Sequence, residues 1–317
     1  MKYRYHLLRS FVNLGIVFTI FAINTGAIGA AGSLSFLSTI PAARPASMGS
    51  AFAAVSDDIN AIFVNPAGLG TVAKIELSGT YNNWFEGITY MCIAGCYSIK
   101  NIATVGVSGI VLNYGDLIQT EEVSGNIKDT GKKFQPQDLV VSAGAAREII
   151  PTKLYIGAVG KVVSESIGPS ASSGFGLDAG VLFKILDNVN IGAAVQNLGI
   201  SSKFENKTFS APLNLRAGGM YNLKFVGKGG GLALAGDLAL CDKDMVICLG
   251  SELSYPLGEE FILRIRGGYQ VGKILGGFSI GGGIIYKTDS TDIIIDVGYV
   301  PVKDLGDTLR IGVGVRM

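Results

Sequence analysis

The chain has 317 residues, of which 48% are hydrophobic and 16% charged, and it contains 45 glycines. Soluble domains carry about 25% charged residues and about 7% glycine, so this composition is atypical of a soluble enzyme. The apolar content also excludes a disordered chain. A formal net charge of +1 gives no reason to expect nucleic acid as a partner.

The N-terminus has the three parts of a secretory signal peptide. Basic residues before position 10 precede an apolar run over residues 11–23, and small residues follow. The run is shorter than the about 20 residues that a membrane-spanning helix needs. A buried core helix is the alternative. The basic residues before the apolar run and the small residues after it favour a cleaved signal peptide over residues 1–30. The protein is therefore expected to be exported.

Residues that usually carry out catalysis or bind metals are scarce. The single histidine, His6, falls within the predicted signal peptide, so the exported chain would lack Ser–His and Cys–His catalysis and His-ligated metals. The four cysteines form no CxxC motif and are interpreted as buried or lipid-facing thiols. We therefore expect no catalytic residues, no metal and no cofactor, and the chain is not predicted to be an enzyme.

Residues 31–72 do not alternate between apolar and polar side chains. Small and apolar residues over 46–58 predict a short helix, and Asn65-Pro66-Ala67-Gly68 predicts a turn. The segment is apolar enough to need burial, so it is interpreted as a plug inside a barrel, with a periplasmic tail as the alternative.

From residue 73 onward, strict alternation recurs in segments of about ten residues separated by Gly, Pro, Asn or Asp, which indicates strands. In the last segment, for example, Leu309, Ile311 and Val313 share one face, and Arg310 and Gly312 the other. Most segments reach the roughly 9–11 residues that a tilted membrane strand needs. The pattern predicts fourteen strands, over residues 73–82, 87–98, 101–114, 137–148, 152–166, 173–186, 189–200, 211–224, 230–240, 245–256, 260–271, 275–287, 291–300 and 307–316.

The connections between these strands form a short group and a long group. Those after even-numbered strands are short, whereas the longer ones, 115–136, 167–172, 201–210 and 301–306, all follow odd-numbered strands and share one end. Bacterial outer-membrane barrels have this layout, with the short turns on the periplasmic side. Because lipid offers no hydrogen-bond partner to the backbone, such a sheet must close. The predicted fold is an all-β, 14-stranded antiparallel transmembrane β-barrel over residues 73–317, surrounded by outer-membrane lipid.

Three features of the barrel follow from the alternation. Aromatic residues near strand ends are expected in girdles at the membrane surfaces. They are Tyr81, Trp84, Tyr90, Tyr255, Tyr269, Tyr286 and Tyr299. Inward charges of mixed sign are expected to pair across the lumen. They are Lys161, Asp178, Arg216, Asp237, Glu252, Arg264, Arg266 and Asp296. In the third strand the apolar residues change from odd-numbered to even-numbered positions at Ser108 and Gly109. This change predicts either a β-bulge that weakens the wall or an apolar lumen face.

Two N-terminal motifs carry a resemblance to a known family. Residues 43–58, followed by Asn65-Pro66-Ala67-Gly68-Leu69, resemble the N-terminal signature of PorV/PorQ-type outer-membrane proteins, which are similar to the FadL long-chain fatty acid transporters. Weaker motifs over residues 174–199, 211–218 and 296–317 continue the resemblance. One departure is the C-terminal Met317, where such barrels usually end in an aromatic residue read by the assembly machinery.

The resemblance implies a fourteen-stranded barrel with an N-terminal hatch that contains Asn65, Pro66, Ala67 and Gly68. It implies uptake or binding of a hydrophobic small molecule, such as a long-chain fatty acid. Some PorV-type proteins instead serve protein secretion or surface attachment, so secretion-system proteins are the alternative partners. The sequence identifies no ligand-binding residues.

Overall fold

A computed structural model of the chain describes residues 33–204, 207–225, 229–242, 244–272, 277–302 and 306–317. The predicted signal peptide lies outside these residues. No helix within the described ranges is long and apolar enough to cross a membrane.

The chain forms a closed antiparallel barrel of fourteen strands, as the alternation predicts. Consecutive barrel strands pair in chain order, and the first strand pairs with the last, Glu76 opposite Arg316. The barrel strands are β1 (Ile75–Asn83), β2 (Thr89–Ile99), β3 (Ala103–Asn113), β6 (Gln137–Ile150), β7 (Leu154–Ile167), β8 (Ser170–Leu186), β9 (Val189–Leu198), β12 (Asn214–Lys224), β13 (Gly231–Cys241), β14 (Asp244–Leu257), β15 (Phe261–Val271), β16 (Phe278–Lys287), β17 (Asp292–Val302) and β18 (Gly306–Arg316).

Four further strands form two hairpins in connections that the sequence assigned to loops. They are β4 (Leu117–Val123) with β5 (Asn126–Phe134), and β10 (Ser201–Phe204) with β11 (Lys207–Ser210). The two hairpins follow the third and the seventh strand of the barrel, β3 and β9. Both therefore lie at the same end of the barrel, which we call the long-loop end. Two predicted long connections, 167–172 and 301–306, are wrong. β7 ends at Ile167 and β8 begins at Ser170, and β17 ends at Val302 and β18 begins at Gly306.

Alternation along each strand separates an outward apolar face from an inward face. In β18, Leu309, Ile311 and Val313 are exposed on the outside, whereas Thr308 and Arg310 are buried inside. Because every backbone N–H and C=O of a closed sheet can bond to a neighbouring strand, the apolar outer face can contact lipid without unpaired backbone groups.

The pairing of β3 is continuous through Ser108 and Gly109 with both β2 and β6, so the bulge predicted there is wrong. The parity change reflects an apolar inner face, since Ile110 and Leu112 are buried against the N-terminal segment. The wall is irregular elsewhere, between β8 and β9, where the register shifts between Leu177 and Ala179.

Residues 33–72, which we call the N-terminal segment, contain only short helices. They are three 3-10 helices, η1 (Ser33–Ser38), η2 (Ile59–Phe63) and η3 (Pro66–Thr71), and one α-helix, α1 (Ala43–Ser47). The helix predicted over residues 46–58 is wrong. Gly49 and Ser50 adopt positive φ angles of 61° and 62°, which end the helix.

The largest apolar core lies between this segment and the inward face of the barrel. Phe36, Phe52 and Ile62 of the segment pack in one buried cluster with Leu112 and Val159 of the strands. Burial of apolar side chains from both sides stabilises the segment against the wall by about 25 cal/mol for each Å² removed from water.

Candidate functional site

The Asn65-Pro66-Ala67-Gly68 motif is buried against the inner wall. Asn65 caps η3, because its Oδ1 accepts a hydrogen bond from the Ala67 N–H at 3.2 Å. Its Nδ2 donates to the carbonyl of Ala53 at 2.7 Å and to that of Val181 in β8 at 3.0 Å. One side chain therefore joins two parts of the segment to a barrel strand.

Inward-facing glycines allow the segment to approach the strands closely. A Cβ atom at Gly157 in β7 would lie 2.5 Å from the Pro66 carbonyl carbon, and one at Gly268 in β15 would lie 2.0 Å from the Gly49 nitrogen. Both distances are too short for a side chain. The glycine enrichment of the inner face thus makes room for the N-terminal segment.

Arg44 of α1 connects the segment to another part of the wall, at β14. Its Nε and Nη2 donate to the two carboxylate oxygens of Glu252 in β14 at 2.9 and 2.8 Å. Its Nη1 donates to Asp57 and Asp58 at 2.5 and 2.7 Å. Burial alone would lower the pKa of Arg44, but the charges of Asp57, Glu252 and Asp58 outweigh it and raise the pKa well above its ordinary value. Arg44 is therefore a permanent cation within this cluster.

Inward charges pair as predicted, but the pairs form between strands that are adjacent or two apart in the wall and not across the lumen. Arg266 bonds to Glu252 at 2.6 Å and to Asp296 at 2.7 Å, and Lys161 approaches Asp178 to 2.6 Å.

A further inward pair, Arg216 and Asp237, approaches to 3.1 Å and also binds the segment. Asp237 accepts hydrogen bonds from the backbone N–H groups of Phe52 and Ala53 at 2.9 Å each. These amides would have bonded within the predicted helix, so the carboxylate gives them another partner.

A cavity of about 250 Å³ lies between η1 and the long-loop end of the barrel. Phe36 and Ile40 of the segment, Trp84 and Phe85 after β1, and Val300 and Val302 of β17 supply apolar lining. Hydroxyl groups of Ser35, Ser38 and Thr39 line the side formed by the segment, and Gln270 and Ser279 line the wall. The cavity is mostly apolar with a few polar groups, as small-molecule sites usually are.

Two aromatic residues expected in a girdle belong to this region instead. Tyr90 is buried on the inner face, where its hydroxyl donates to the Thr39 carbonyl at 3.1 Å. The Trp84 ring lies 5.5 Å from the Tyr90 ring, centroid to centroid. By contrast, the remaining girdle candidates with exposed rings, Tyr81, Tyr255, Tyr269 and Tyr286, lie on the outer face.

Arg310 of β18 also lines the cavity, and its side chain is only 4% exposed. Its Nη1 donates to the Thr308 hydroxyl at 3.1 Å. Its Nε has no hydrogen-bond partner among the residues that the structure describes. Arg44, Arg216 and Arg266 all bind carboxylates, whereas Arg310 forms no ion pair with any residue that the structure describes.

The structure does not bring the sequence-predicted site residues together in this cavity. The Asn65 motif contacts β7 and β8 at another part of the wall, and Ser108 and Gly109 lie within the regular pairing of β3. Sequence reasoning placed Arg310 on the inward face but gave it no role. The signal it lacked was the register, which puts the neutral residues Asn82 and Gly298 opposite Arg310.

No protein-family model matches the chain, and no curated protein matches it either. Solved structures do match. The Pseudomonas putida toluene transporter TodX aligns with a TM-score of 0.59 at 14% identity, over 87% of this chain and 97% of that one. The Ralstonia pickettii toluene transporter TbuX aligns with a TM-score of 0.58 at 14% identity, over 86% and 96%.

A Pseudomonas aeruginosa FadL homologue aligns with a TM-score of 0.52 at 11% identity, over 91% of this chain and 99% of the homologue. At these identities the comparison concerns the fold. The chain has the fold of the FadL-like barrels.

Proposed function

We propose that the protein is an outer-membrane barrel that binds hydrophobic small molecules and takes them up, with the N-terminal segment as its hatch. The observation that carries this proposal is the cavity of about 250 Å³ between η1 and the long-loop end. Since the short turns of such barrels are periplasmic, the cavity would lie on the extracellular side, where a ligand arrives.

The contacts of the N-terminal segment support a hatch. The segment bounds the cavity through Phe36 and Ile40 and is bonded to the wall through Asn65 and Arg44. A ligand that enters the cavity therefore meets the segment before it can pass further along the lumen. The fold similarity to two toluene transporters and a FadL homologue supports the same substrate type.

Trp84 allows a direct test, because it is the only tryptophan of the chain and lines the cavity. Titration of the detergent-purified protein with toluene is expected to change Trp84 fluorescence in a saturable way. Phe36→Arg, which places a charge in the cavity, should abolish the change. As a matched control, Ile127→Arg alters an exposed residue of the β4–β5 hairpin and should leave it intact. A linear, non-saturable response would contradict the proposal.

Purification from native membranes in mild detergent, followed by mass spectrometry of whatever accompanies the protein, separates this function from the alternative. A stoichiometric apolar ligand supports uptake. A stoichiometric protein partner and an empty cavity would instead support the PorV-type role in secretion or surface attachment. Recovery from the soluble fraction would contradict the membrane location itself.

A further inference from the structure

The environment of Arg310 differs from that of the other buried arginines. A buried cation without a counter-ion is costly, and folded proteins normally pair it or leave it exposed. Arg310 is 4% exposed and forms no ion pair with any residue that the structure describes. Its guanidinium has five N–H donors, and the Thr308 hydroxyl accepts from one of its nitrogens. Hydrogen-bond partners other than Thr308 are therefore lacking for this cavity-lining guanidinium within the described ranges.

A second unsatisfied polar group adjoins it. Asn82 of β1 stands directly opposite Arg310 in the β1–β18 register and is fully buried. Neither its Nδ2 nor its Oδ1 has a partner within the described ranges. Buried polar groups are rarely left without partners. Asn82 does not line the cavity and forms no hydrogen bond with Arg310, so the guanidinium of Arg310 can still bind a polar ligand group at the cavity.

Charge and geometry define that ligand group. Among the cavity-lining residues that the structure describes, Arg310 is the only charged one, so the site balances a single negative charge. A guanidinium binds a carboxylate through two parallel hydrogen bonds. A phosphate dianion would leave one charge uncompensated. A monocarboxylate is therefore the best match.

The remaining lining defines the body of the ligand. Phe36, Trp84 and Phe85 supply aromatic surface, and Val300 and Val302 supply aliphatic surface. The cavity of about 250 Å³ has room for about eight water molecules at their volume in the liquid. A carboxylic acid with one aromatic ring or a short chain fits this space, whereas an extended long-chain fatty acid exceeds it.

We propose that the cavity binds a small apolar monocarboxylate, with the carboxylate on Arg310 and the ring or short chain against Phe36, Trp84 and Phe85. This inference rests on the proposed uptake of hydrophobic small molecules and narrows it to a chemical class. Arg310 then selects between an acid and a neutral hydrocarbon of the same size.

Four probes separate the contributions, each titrated against Trp84 fluorescence in chloride-free buffer. Phenylacetate has both the charge and the ring, phenylacetamide has the ring without the charge, acetate has the charge without the ring, and toluene tests apolar binding alone. Phenylacetate is expected to bind roughly 10- to 100-fold more tightly than phenylacetamide, the gain of a charge-assisted hydrogen bond. Acetate is expected to bind weakly.

Arg310→Met should abolish the preference for phenylacetate over phenylacetamide, whereas Arg310→Lys should retain part of the preference. Arg147→Met, an exposed arginine near the short-turn end of β6, is the matched control and should behave as the unaltered protein. Heat-dependent migration on gels verifies that each variant is a folded barrel. If Arg310→Met does not fold, the Arg310→Lys variant and the four probes on the unaltered protein still test whether the cavity prefers a carboxylate.

The outcomes are distinguishable. If toluene and phenylacetamide bind but phenylacetate binds no better, the carboxylate inference is overturned and uptake of neutral molecules stands. If Arg310→Met folds and keeps the preference, Arg310 is not the anchor. If none of the four probes gives a saturable change, both the inference and the proposed function are wrong.

Discussion

Inward-facing glycines set the distance between the N-terminal segment and the barrel wall. At Gly157 the backbone of Pro66 and Ala67 occupies the space of a side chain, with the Ala67 nitrogen 2.6 Å from an ideal Cβ position. A backbone obstacle cannot rotate away as a side chain can. A larger residue at Gly157 must therefore displace the segment or strain the strand.

We expect Gly157→Val to cost about 1–3 kcal/mol of stability, as overpacking usually does, and to loosen the N-terminal segment. Limited proteolysis should cleave the segment faster in this variant, while heat-dependent migration still reports a closed barrel. Gly160→Val on the same strand is the matched control, because the nearest atom to its Cβ position is 3.8 Å away. Equal protease resistance in both variants would argue against the close approach.

At the scale of elements, the N-terminal segment and the strands are joined by many separate contacts, and the proposed movement of the segment during uptake would break some of them. The α1 helix is attached through Ser47, whose carbonyl accepts a hydrogen bond from the Ser279 hydroxyl at 3.2 Å. Beside it, a Cβ at Gly298 in β17 would lie 3.5 Å from the Ser47 Cβ. This separation is within the range of disulfide bonds.

The double variant Ser47→Cys and Gly298→Cys is therefore expected to form a disulfide that locks α1 to the wall. If the segment moves during uptake, cells producing the oxidised variant should take up radiolabelled toluene several-fold more slowly, and a reductant should restore the rate. The two single-cysteine variants control for the substitutions. Undiminished uptake with a fully formed disulfide would show that α1 does not need to move.

The strands were predictable from sequence because the alternation of apolar and polar side chains shows directly which face of each strand contacts an apolar environment. All fourteen barrel strands were predicted to within a few residues, and β15 lies over Phe261–Val271 against a prediction of 260–271. The N-terminal segment was less predictable, since its backbone is stabilised by distant residues. The amides of Phe52 and Ala53 bond to Asp237, which is 185 and 184 residues away in the chain.

The cavity was unpredictable for a related reason. It forms where η1, the connection after β1 and the ends of β15 to β18 meet, and no local pattern specifies that meeting. Trp84 and Tyr90 were assigned to a girdle because they lie near strand ends, but Tyr90 bonds to the segment inside the barrel and the Trp84 ring lies against Tyr90. Proximity to a strand end is compatible with either face.

The described part of the molecule combines an apolar outer surface with an interior that holds both paired charges and the apolar core around the N-terminal segment. Exposed apolar side chains occur both on the barrel wall and on the β4–β5 hairpin at the long-loop end. Ile93 in β2 is 69% exposed, and Ile127 in β5 is 78% exposed. Only the first belongs to a strand that closes the barrel, so only the first is expected to contact lipid.

We therefore expect Ile93→Arg to destabilise the barrel in phospholipid vesicles by about 2–4 kcal/mol, the usual cost of a lipid-facing arginine near the middle of the bilayer. Ile127→Arg, at a site of similar exposure, should change the stability by less than about 0.5 kcal/mol because water already surrounds the hairpin. Urea-dependent folding into vesicles, followed by Trp84 fluorescence, measures both free energies. Equal effects of the two substitutions would contradict the assignment of Ile93 to lipid and of Ile127 to water, because an introduced charge is solvated by water but not by lipid.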